Sequence, residues 1–398
     1  MTDMSEPLYS TDLLLVDAAR RHAGYARLRD AGPVHPIVLQ SGETGWLVTG
    51  FETARVALTD LRLQGRTATV GNGRRMPEDL RRAMNSHMLN VGPPDHTRLR
   101  KLVSAAFTRR RMEQMRPRVQ ELTDDLLDAL DTSGPVDLIT GLALPLPVQV
   151  LTDLFGIPAE DSAEFHALTS ALTSGSLPLG RLTVAATAML DYVRPLLDRK
   201  RREPRPDLLS ALVAVHDGED RLTEDELTSM VFLLLTAGHE TTVNLIGNGL
   251  LTLLSTPDEL ARLRADRGLL PRAVEELMRL ESPVQIALRY ATEPVELGGV
   301  AIPAGATVLV SLLAANRDPG RFDEPDEVRL DRAGNAQLAF GYGYHHCIGA
   351  PLARLEAVVA IGTVLDRFPR LRLARPAASL DWRPSPVMHG VHELPVLC

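Results

Sequence analysis

Apolar residues recur every three to four positions over most of this chain and every two over a smaller part. The pattern predicts a mainly α protein with a smaller β portion. Helical spacing covers 11–31, a short piece at 51–60, and then 96–107, 113–131, 145–155, 159–173, 181–202 and 207–216. Val34 to Val48 alternates around the turn-like Ser41-Gly42-Glu43-Thr44, the pattern of a hairpin. Thr223-Glu224-Asp225-Glu226 reads as a capping box that opens one helix running to about Leu254, roughly 48 Å long. Helical spacing returns at 257–267, 271–281 and 349–368, and 284–313 is strand-like around Gly298-Gly299 and Pro303-Ala304-Gly305. Two stretches lack strong periodicity: 62–94, long enough to be functional or mobile, and 318–346. With no repeats and no linker between independent cores, residues 1–398 read as one domain, with 1–10 as a flexible tail.

Composition narrows the function. The 398 residues are 44% hydrophobic and 24% charged, ordinary for a soluble globular protein. A net charge of −8 argues against nucleic acid as the main partner. No segment supplies the apolar run of a membrane span, and the start lacks the basic and apolar regions of a signal peptide. A cytoplasmic location is therefore expected. Only Cys347 and Cys398 are cysteines, which does not suggest a disulfide framework.

Cys347 stands in Phe340-Gly341-Tyr342-Gly343-Tyr344-His345-His346-Cys347-Ile348-Gly349, just before the helix predicted from Gly349 to Phe368. Pro351 falls in the first turn of that helix, where proline is tolerated. A thiol at a helix N-terminus has its pKa lowered, and a thiolate is a soft ligand for iron. Gly343 and Gly349 would let a flat macrocycle come close to the backbone. Two other readings are a buried structural cysteine and a zinc site of His345, His346 and Cys347. Adjacent residues rarely converge on one metal, and no second pair sits at finger spacing.

This loop resembles the haem-binding loop of the cytochrome P450 family. Phe340, Gly343, Cys347 and Gly349 stand at its four pattern positions. The resemblance implies a single-domain P450 fold, with haem b between the long central helix and the cysteine-loop helix and Cys347 as iron ligand. On the central helix, Ala237-Gly238-His239-Glu240-Thr241-Thr242 resembles the family's oxygen-activation motif, implying catalytic roles for Glu240 and Thr241 as a proton relay. Ala237 and Gly238 would lie against the cofactor, Gly238 is also a site for local helix distortion, and His239 reads as structural or exposed. Glu276 and Arg279, three apart on one helix face, resemble the Glu-x-x-Arg motif. Arg332, in Pro325 to Arg332, would complete a buried triad, although Val328 stands where the family often has Phe. His96, Arg100, Arg289 and His345 match positions that take the haem propionates. Val91-Gly92-Pro93-Pro94 lacks the acidic residue frequent before the proline pair.

Tyr342 replaces a frequent histidine, and His346 precedes the ligand either as a tuning group near sulfur or as a partner-facing surface histidine. The resemblance further implies O2 as co-substrate and electrons from NAD(P)H through a ferredoxin and ferredoxin reductase. Arg109, Arg110 and Arg111, with Arg116 and Arg118, form a basic cluster suited to an acidic donor. The candidate pocket combines Leu234, Ala237, Val284, Ile286, Val387 and Met388 with the 62–94 and 166–182 segments. Its apolar character fits a lipophilic molecule. The expected reaction is hydroxylation or epoxidation of a macrolide or polyketide-like natural product. A catalytically silent haem binder and a peroxide-driven peroxygenase are the alternatives.

Overall fold

The computed structural model describes residues 8–16, 18–65, 77–161, 164–165, 167–168, 179–216 and 222–398. Its first helices are α1 (Thr11–Leu14), α2 (Ala18–Ala31), α3 (Phe51–Thr59), α4 (Glu78–Asn85), α5 (Asp95–Ala106), α6 (Arg109–Gln114), α7 (Arg116–Asp128) and α8 (Pro145–Phe155). After them come α9 (Leu179–Arg202), α10 (Leu208–His216), α11 (Glu224–Ala237), α12 (Glu240–Leu254), α13 (Pro257–Ala265), α14 (Leu270–Leu280), α15 (Leu312–Ala315) and α16 (Ala350–Arg367). The described residues also form ten short strands. The strands β1 (Val34–Val38), β2 (Thr44–Val48), β3 (Leu63–Gln64), β5 (Ile286–Ala291) and β8 (Thr307–Ser311) form one sheet in the order β1-β2-β8-β5-β3. The β1–β2 hairpin is antiparallel, with Val34 opposite Val48, and β2 runs parallel to β8. A second sheet orders β4 (Val136–Asp137), β10 (Pro395–Leu397) and β9 (Arg372–Leu373), and β6 (Val295–Leu297) pairs with β7 (Val300–Ile302).

Three apolar clusters follow from this layout. The large core gathers α5, α7, α8, α11, α12, α14 and α16, with Ile246, Leu250, Leu277 and Ile361 buried. The sheet and α3 enclose a second cluster around Val48, Phe51 and Val308. A third, smaller cluster places Leu13, Tyr25 and Leu47 beside Ile286 and Leu309.

Several expectations need correction. The segment 11–31 is two helices, and 113–131 breaks at Met115 into α6 and α7. The weakly periodic 62–94 segment contains α4, which packs on α11. Leu8 and Ser10 hydrogen-bond to Val38 through their backbones, so 8–10 are pinned to the sheet edge rather than forming part of a tail. Residues 1–7 lie outside the described residues, as do much of the expected 159–173 helix and of the 166–182 segment.

The largest departure concerns the central helix, which is two helices broken at Gly238-His239. Its start is as expected: Thr223 and Glu226 form a reciprocal capping box. At the break, hydroxyls take over carbonyls that backbone N–H groups would otherwise fill. Thr241 Oγ1 donates to Ala237 O at 3.0 Å and Thr242 Oγ1 to Gly238 O at 3.2 Å. Hydroxyl capping beside a glycine is a recognised cause of local helix distortion. The helix then restarts, with Thr242 N and Val243 N both bonded to His239 O.

Candidate active site

The cysteine loop is a tight turn closed by its own backbone. Cys347 N donates to Phe340 O at 2.9 Å, Gly341 N to Leu338 O at 2.7 Å and His346 N to Gly343 O at 3.1 Å. Gly341 and Gly343 have φ of 71° and 72°, the left-handed region where glycine avoids a Cβ penalty. A Cβ on Gly343 would meet Thr59 Cγ2 at 2.8 Å and Leu58 O at 3.1 Å, so this glycine lets the loop seat on α3. Gly238 also packs closely: its Cβ would meet Leu234 O at 3.0 Å and Leu151 methyls at 3.2 and 3.3 Å, so this glycine lets the helix break approach α8. At Gly349 a Cβ would lie 3.8 Å from Cys347 Sγ, an ordinary contact.

Phe340 anchors the loop through the core and through Arg354, whose guanidinium lies 4.4 Å from its ring centroid. Arg354 in turn binds Glu275. Cys347 is accessible at the loop's end, yet burial pushes its thiol pKa up. An accessible atom in a desolvating surround belongs to the floor of a cleft. N–H groups of Gly349 and Ala350, then Arg100 and Arg354, oppose the shift without reversing it. The net direction corrects the expectation of a lowered pKa: desolvation outweighs the helix N-terminus here. Ala237 is likewise exposed, at the end of a helix otherwise lined by core leucines and next to the helix break.

Basic groups crowd the same region. The rings of His96 and His345 stand 4.7 Å apart and edge-on, with Tyr344 between 4.4 and 5.1 Å from each. Both ring nitrogens of His96, Nε2 of His345 and Nε of Arg289 are buried without a hydrogen-bond partner among the described residues. The pKa of His345 is pushed down to about 3, first by burial and then by Arg289, His96 and Arg100. Arg289 and Arg100 are lowered by burial too. Such a concentration of buried donors and positive charge, acting on one another with no carboxylate among them, fits an anionic ligand. The donor set suits the two carboxylates of a haem, and the accessible sulfur suits its iron.

Glu276 holds a different cluster. Its carboxylate, fully buried, accepts from Arg279 Nε and Nη2, both at 2.8 Å, and from Arg332 Nε at 3.0 and 3.1 Å. Asn335 Nδ2 and Arg329 N add bonds at 3.1 and 3.0 Å. The remaining donors of Arg279 reach the carbonyls of Asn316, Pro325 and Glu327. The irregular 318–346 stretch is therefore ordered by side-chain bonds in place of a ladder.

The catalytic candidates meet the other wall. Burial raises the pKa of Glu240, and Arg383, whose Nη1 is 3.5 Å from Oε1, opposes that rise. His239 is buried. Nothing in the sequence signals Arg383, an arginine in an irregular segment. Of the pocket candidates, Leu234 is mostly buried, Val387 is exposed, and Val284 and Met388 form a β-bridge. Ile286 is corrected: it points into the cluster around Leu13 and Tyr25, on the far face of β5. His345, His346 and Cys347 do not converge as a metal-ligand group; among the described residues His22, Glu281 and His389 do. A cleft of about 310 Å³ lined by Leu14, Leu39, Leu288, Leu309 and Pro386 is a separate feature of the sheet edge.

The family model for cytochrome P450 matches residues 179–375. A protein of Saccharopolyspora erythraea named cytochrome P450 107B1 is 48% identical over 397 residues, covering 97% of each chain. The chain belongs to the cytochrome P450 family. It is 44% identical to the 6-deoxyerythronolide B hydroxylase of the same organism, over 94% of each chain. The tirandamycin C-bound structure of the P450 monooxygenase TamI superposes with a TM-score of 0.88 at 45% identity, covering 98% of this chain and 99% of that one. The protein is accordingly a haem-thiolate monooxygenase of the bacterial type, using O2 and electrons supplied by redox partners. No helix among the described residues is long and apolar enough to cross a membrane.

Proposed function

We propose that this P450 places one oxygen atom from O2 into a C–H or C=C bond of a macrolide or related polyketide-like natural product. The near full-length similarity to 6-deoxyerythronolide B hydroxylase carries that reading, and the tirandamycin-bound neighbour agrees with it. Bound haem would supply the oxygen-activating chemistry. Cys347 would be its thiolate ligand, and metal coordination removes the thiol proton that burial alone would keep. His96, Arg100, Arg289 and His345 would hold the propionates, with Phe340 and Gly349 shaping the loop and Ala237 facing the cleft. Glu240 and Thr241 would pass protons inward. Leu234, Val284, Val387 and Met388 would contact the substrate. Glu276, Arg279 and Arg332 would serve structure alone. The protein would work in the cytoplasm as one domain.

The electron donor would be an acidic ferredoxin, reduced by its NAD(P)H-dependent reductase. Its docking site would centre on Arg109 and Arg110, which are exposed at the start of α6, a helix packed on α16.

The test is spectral, then chemical. Dithionite-reduced protein with carbon monoxide should show the far-red Soret band of thiolate ligation, and Cys347→Ala should lose it. A macrolactone panel should then include a compound that shifts the spin state and is oxygenated with NADPH, ferredoxin and reductase. Thr241→Ala should retain haem but divert electrons to peroxide. A histidine-type carbon monoxide spectrum would end the Cys347 assignment. Turnover with peroxide alone, indifferent to Thr241, would favour a peroxygenase instead.

A further inference from the structure

Glu240 does not face its surroundings alone. Glu240, Asn244 and Asn248 recur at four-residue steps on α12, so they share one face of a helix that is otherwise largely apolar. That polar stripe lies against the segment from Trp382 to Val391. Asn248 Nδ2 donates to His389 O at 2.9 Å. A Cβ on Gly390 would come within 2.1 Å of Asn244 Oδ1, so the backbone passes directly over the amide. Arg383 Nη1 then stands 3.5 Å from Glu240 Oε1.

The segment itself is a hairpin. Trp382 bridges to Val391, and Arg383 N donates to Gly390 O at 2.9 Å. At the tip, Ser385 Oγ accepts from Val387 N at 3.3 Å and Met388 N at 3.0 Å. One short hairpin thus presents a cation to the acid and carries Val387 and Met388 at its tip.

We propose that Arg383 is a positioning residue for Glu240, holding its carboxylate at the inner end of a path by which solvent returns a proton to the acid after each transfer inward. This rests on the relay reading of Glu240 and Thr241. The exposures give the path a direction: the side chain of Arg383 is 26% exposed and that of Glu240 only 12%. The guanidinium is also not saturated by other groups, since its Nε is buried without a partner among the described residues. A contact of 3.5 Å is long for a charge-assisted bond, which leaves the carboxylate room to turn. Arg383 is the charged group that acts on Glu240; its buried sequence neighbour is His239, and α8 offers the apolar Leu151 beside Gly238. Each proton passed inward from the Glu240 carboxyl would be replaced by one from solvent, twice in every turnover. Reducing the second oxygen atom of O2 to water consumes two protons along with the two electrons from the redox partners. The guanidinium stays charged throughout.

Removing the cation would leave desolvation unopposed, so Glu240 would keep its proton to higher pH. The test uses the holoenzyme with Arg383→Gln, Arg383→Lys and Glu240→Gln. The carbonyl infrared band of protonated Glu240, assigned by its loss in Glu240→Gln, is titrated in each. Alongside it runs the pH profile of NADPH-driven O2 consumption with ferredoxin and reductase present in excess. Arg383→Gln should move the band's midpoint upward by about one pH unit, a tenfold change in proton affinity, and the basic limb of the profile should follow. Arg383→Lys should restore both. An unmoved midpoint in Arg383→Gln, with the limb still abolished by Glu240→Gln, would overturn the proposal and leave the relay intact. A limb that survives Glu240→Gln would overturn the relay reading and the proposal with it. Uniformly lower rates with neither midpoint nor limb displaced would mean that Arg383 serves the fold only, and would also overturn it.

Discussion

The Glu276–Arg279–Arg332 cluster and the His96–Arg100–Arg289–His345 cluster both bury charged groups, yet they are built in opposite ways. In the first, one carboxylate is shared by two guanidinium groups, and the other donors of Arg279 reach backbone carbonyls. In the second, burial and then neighbouring basic groups depress the two histidines, burial depresses the two arginines, and four ring or guanidinium nitrogens are left without partners among the described residues. Buried polar groups are normally satisfied. A closed cluster therefore marks scaffold, and an open one of single sign marks the seat of an anion. The two also differ in reach: the closed cluster joins α14 to the irregular 318–346 stretch, whereas the open one draws on α5, β5 and the cysteine loop.

The comparison breaks most sharply at Glu276. Glu276→Ala leaves Arg279 buried without its counterion, and removing one partner of a buried pair costs about 3–5 kcal/mol. Urea unfolding of the haem-free protein should show a loss of that order. A loss below about 1 kcal/mol, the scale of an exposed pair, would mean that the irregular stretch holds itself together by other means.

The open cluster should respond with the opposite sign. Arg289→Leu removes a cation that burial disfavours and that no carboxylate compensates among the described residues, so haem-free stability should hold or rise. The holoenzyme should lose a charge-assisted bond to a propionate, about 1.5–3 kcal/mol, read as faster transfer of haem to an acceptor such as apomyoglobin. Unchanged transfer would remove Arg289 from the cofactor-binding set.

A third cluster sharpens the rule through pH. His389 is fully buried between Arg21 Nη1, at 2.6 Å from Nδ1, and Glu281 Oε2, at 2.5 Å from Nε2. An arginine can only donate, so Nδ1 accepts, Nε2 carries the proton and the ring is neutral. Burial and neighbouring cations push its pKa down to about 4. The unfolded chain, with a pKa near 6.5, then binds more protons than the native state between those values. Stability is complete above about pH 6.5 and falls as pH drops toward about 4. Glu281, held well below its usual range, adds acid lability of the same sign at lower pH. His389→Gln should flatten the Tm–pH slope between about pH 6.5 and 4, and an unchanged slope would assign the acid response elsewhere.

What the sequence disclosed about these clusters depended on how local each signal is. Helix ends carried by neighbouring residues were legible: the capping box at Thr223, the helix after Gly349 with Pro351 in its first turn, and α8 with both of its bounds. Partners distant in sequence were not. Arg383 lies 143 residues from Glu240 and His389 lies 368 from Arg21, with no periodicity to announce either contact. The break at Gly238-His239 was announced only by a glycine that tolerates local distortion: apolar spacing continues across it, while hydroxyls from Thr241 and Thr242 alter the hydrogen bonding without altering the pattern. The glycines at 238 and 343 were legible as close approaches, but the partner of each approach was supplied only by the fold.

The last and smallest effect concerns the surface. Five arginines crowd 109–118, but they are not equivalent. Arg116 pairs with Glu113 at 3.0 Å, and Arg118 with Glu121 at 2.8 Å and Asp153 at 2.6 Å. Arg111 turns back to the carbonyl of Ala106. No ion pair among the described residues engages Arg109 or Arg110, so their charge is free to act outward. A partnered arginine presents almost no net charge to an approaching protein, and exposed charges act mainly on the rate of encounter. Arg109→Glu with Arg110→Glu should slow reduction by an acidic ferredoxin severalfold at low salt, with the difference fading as ionic strength rises. Arg116→Gln with Arg118→Gln should change it little. Equal effects from the two pairs would show that the donor senses the summed charge of the face rather than its unpaired groups, and the distinction between open and closed sets would then stop at the protein interior.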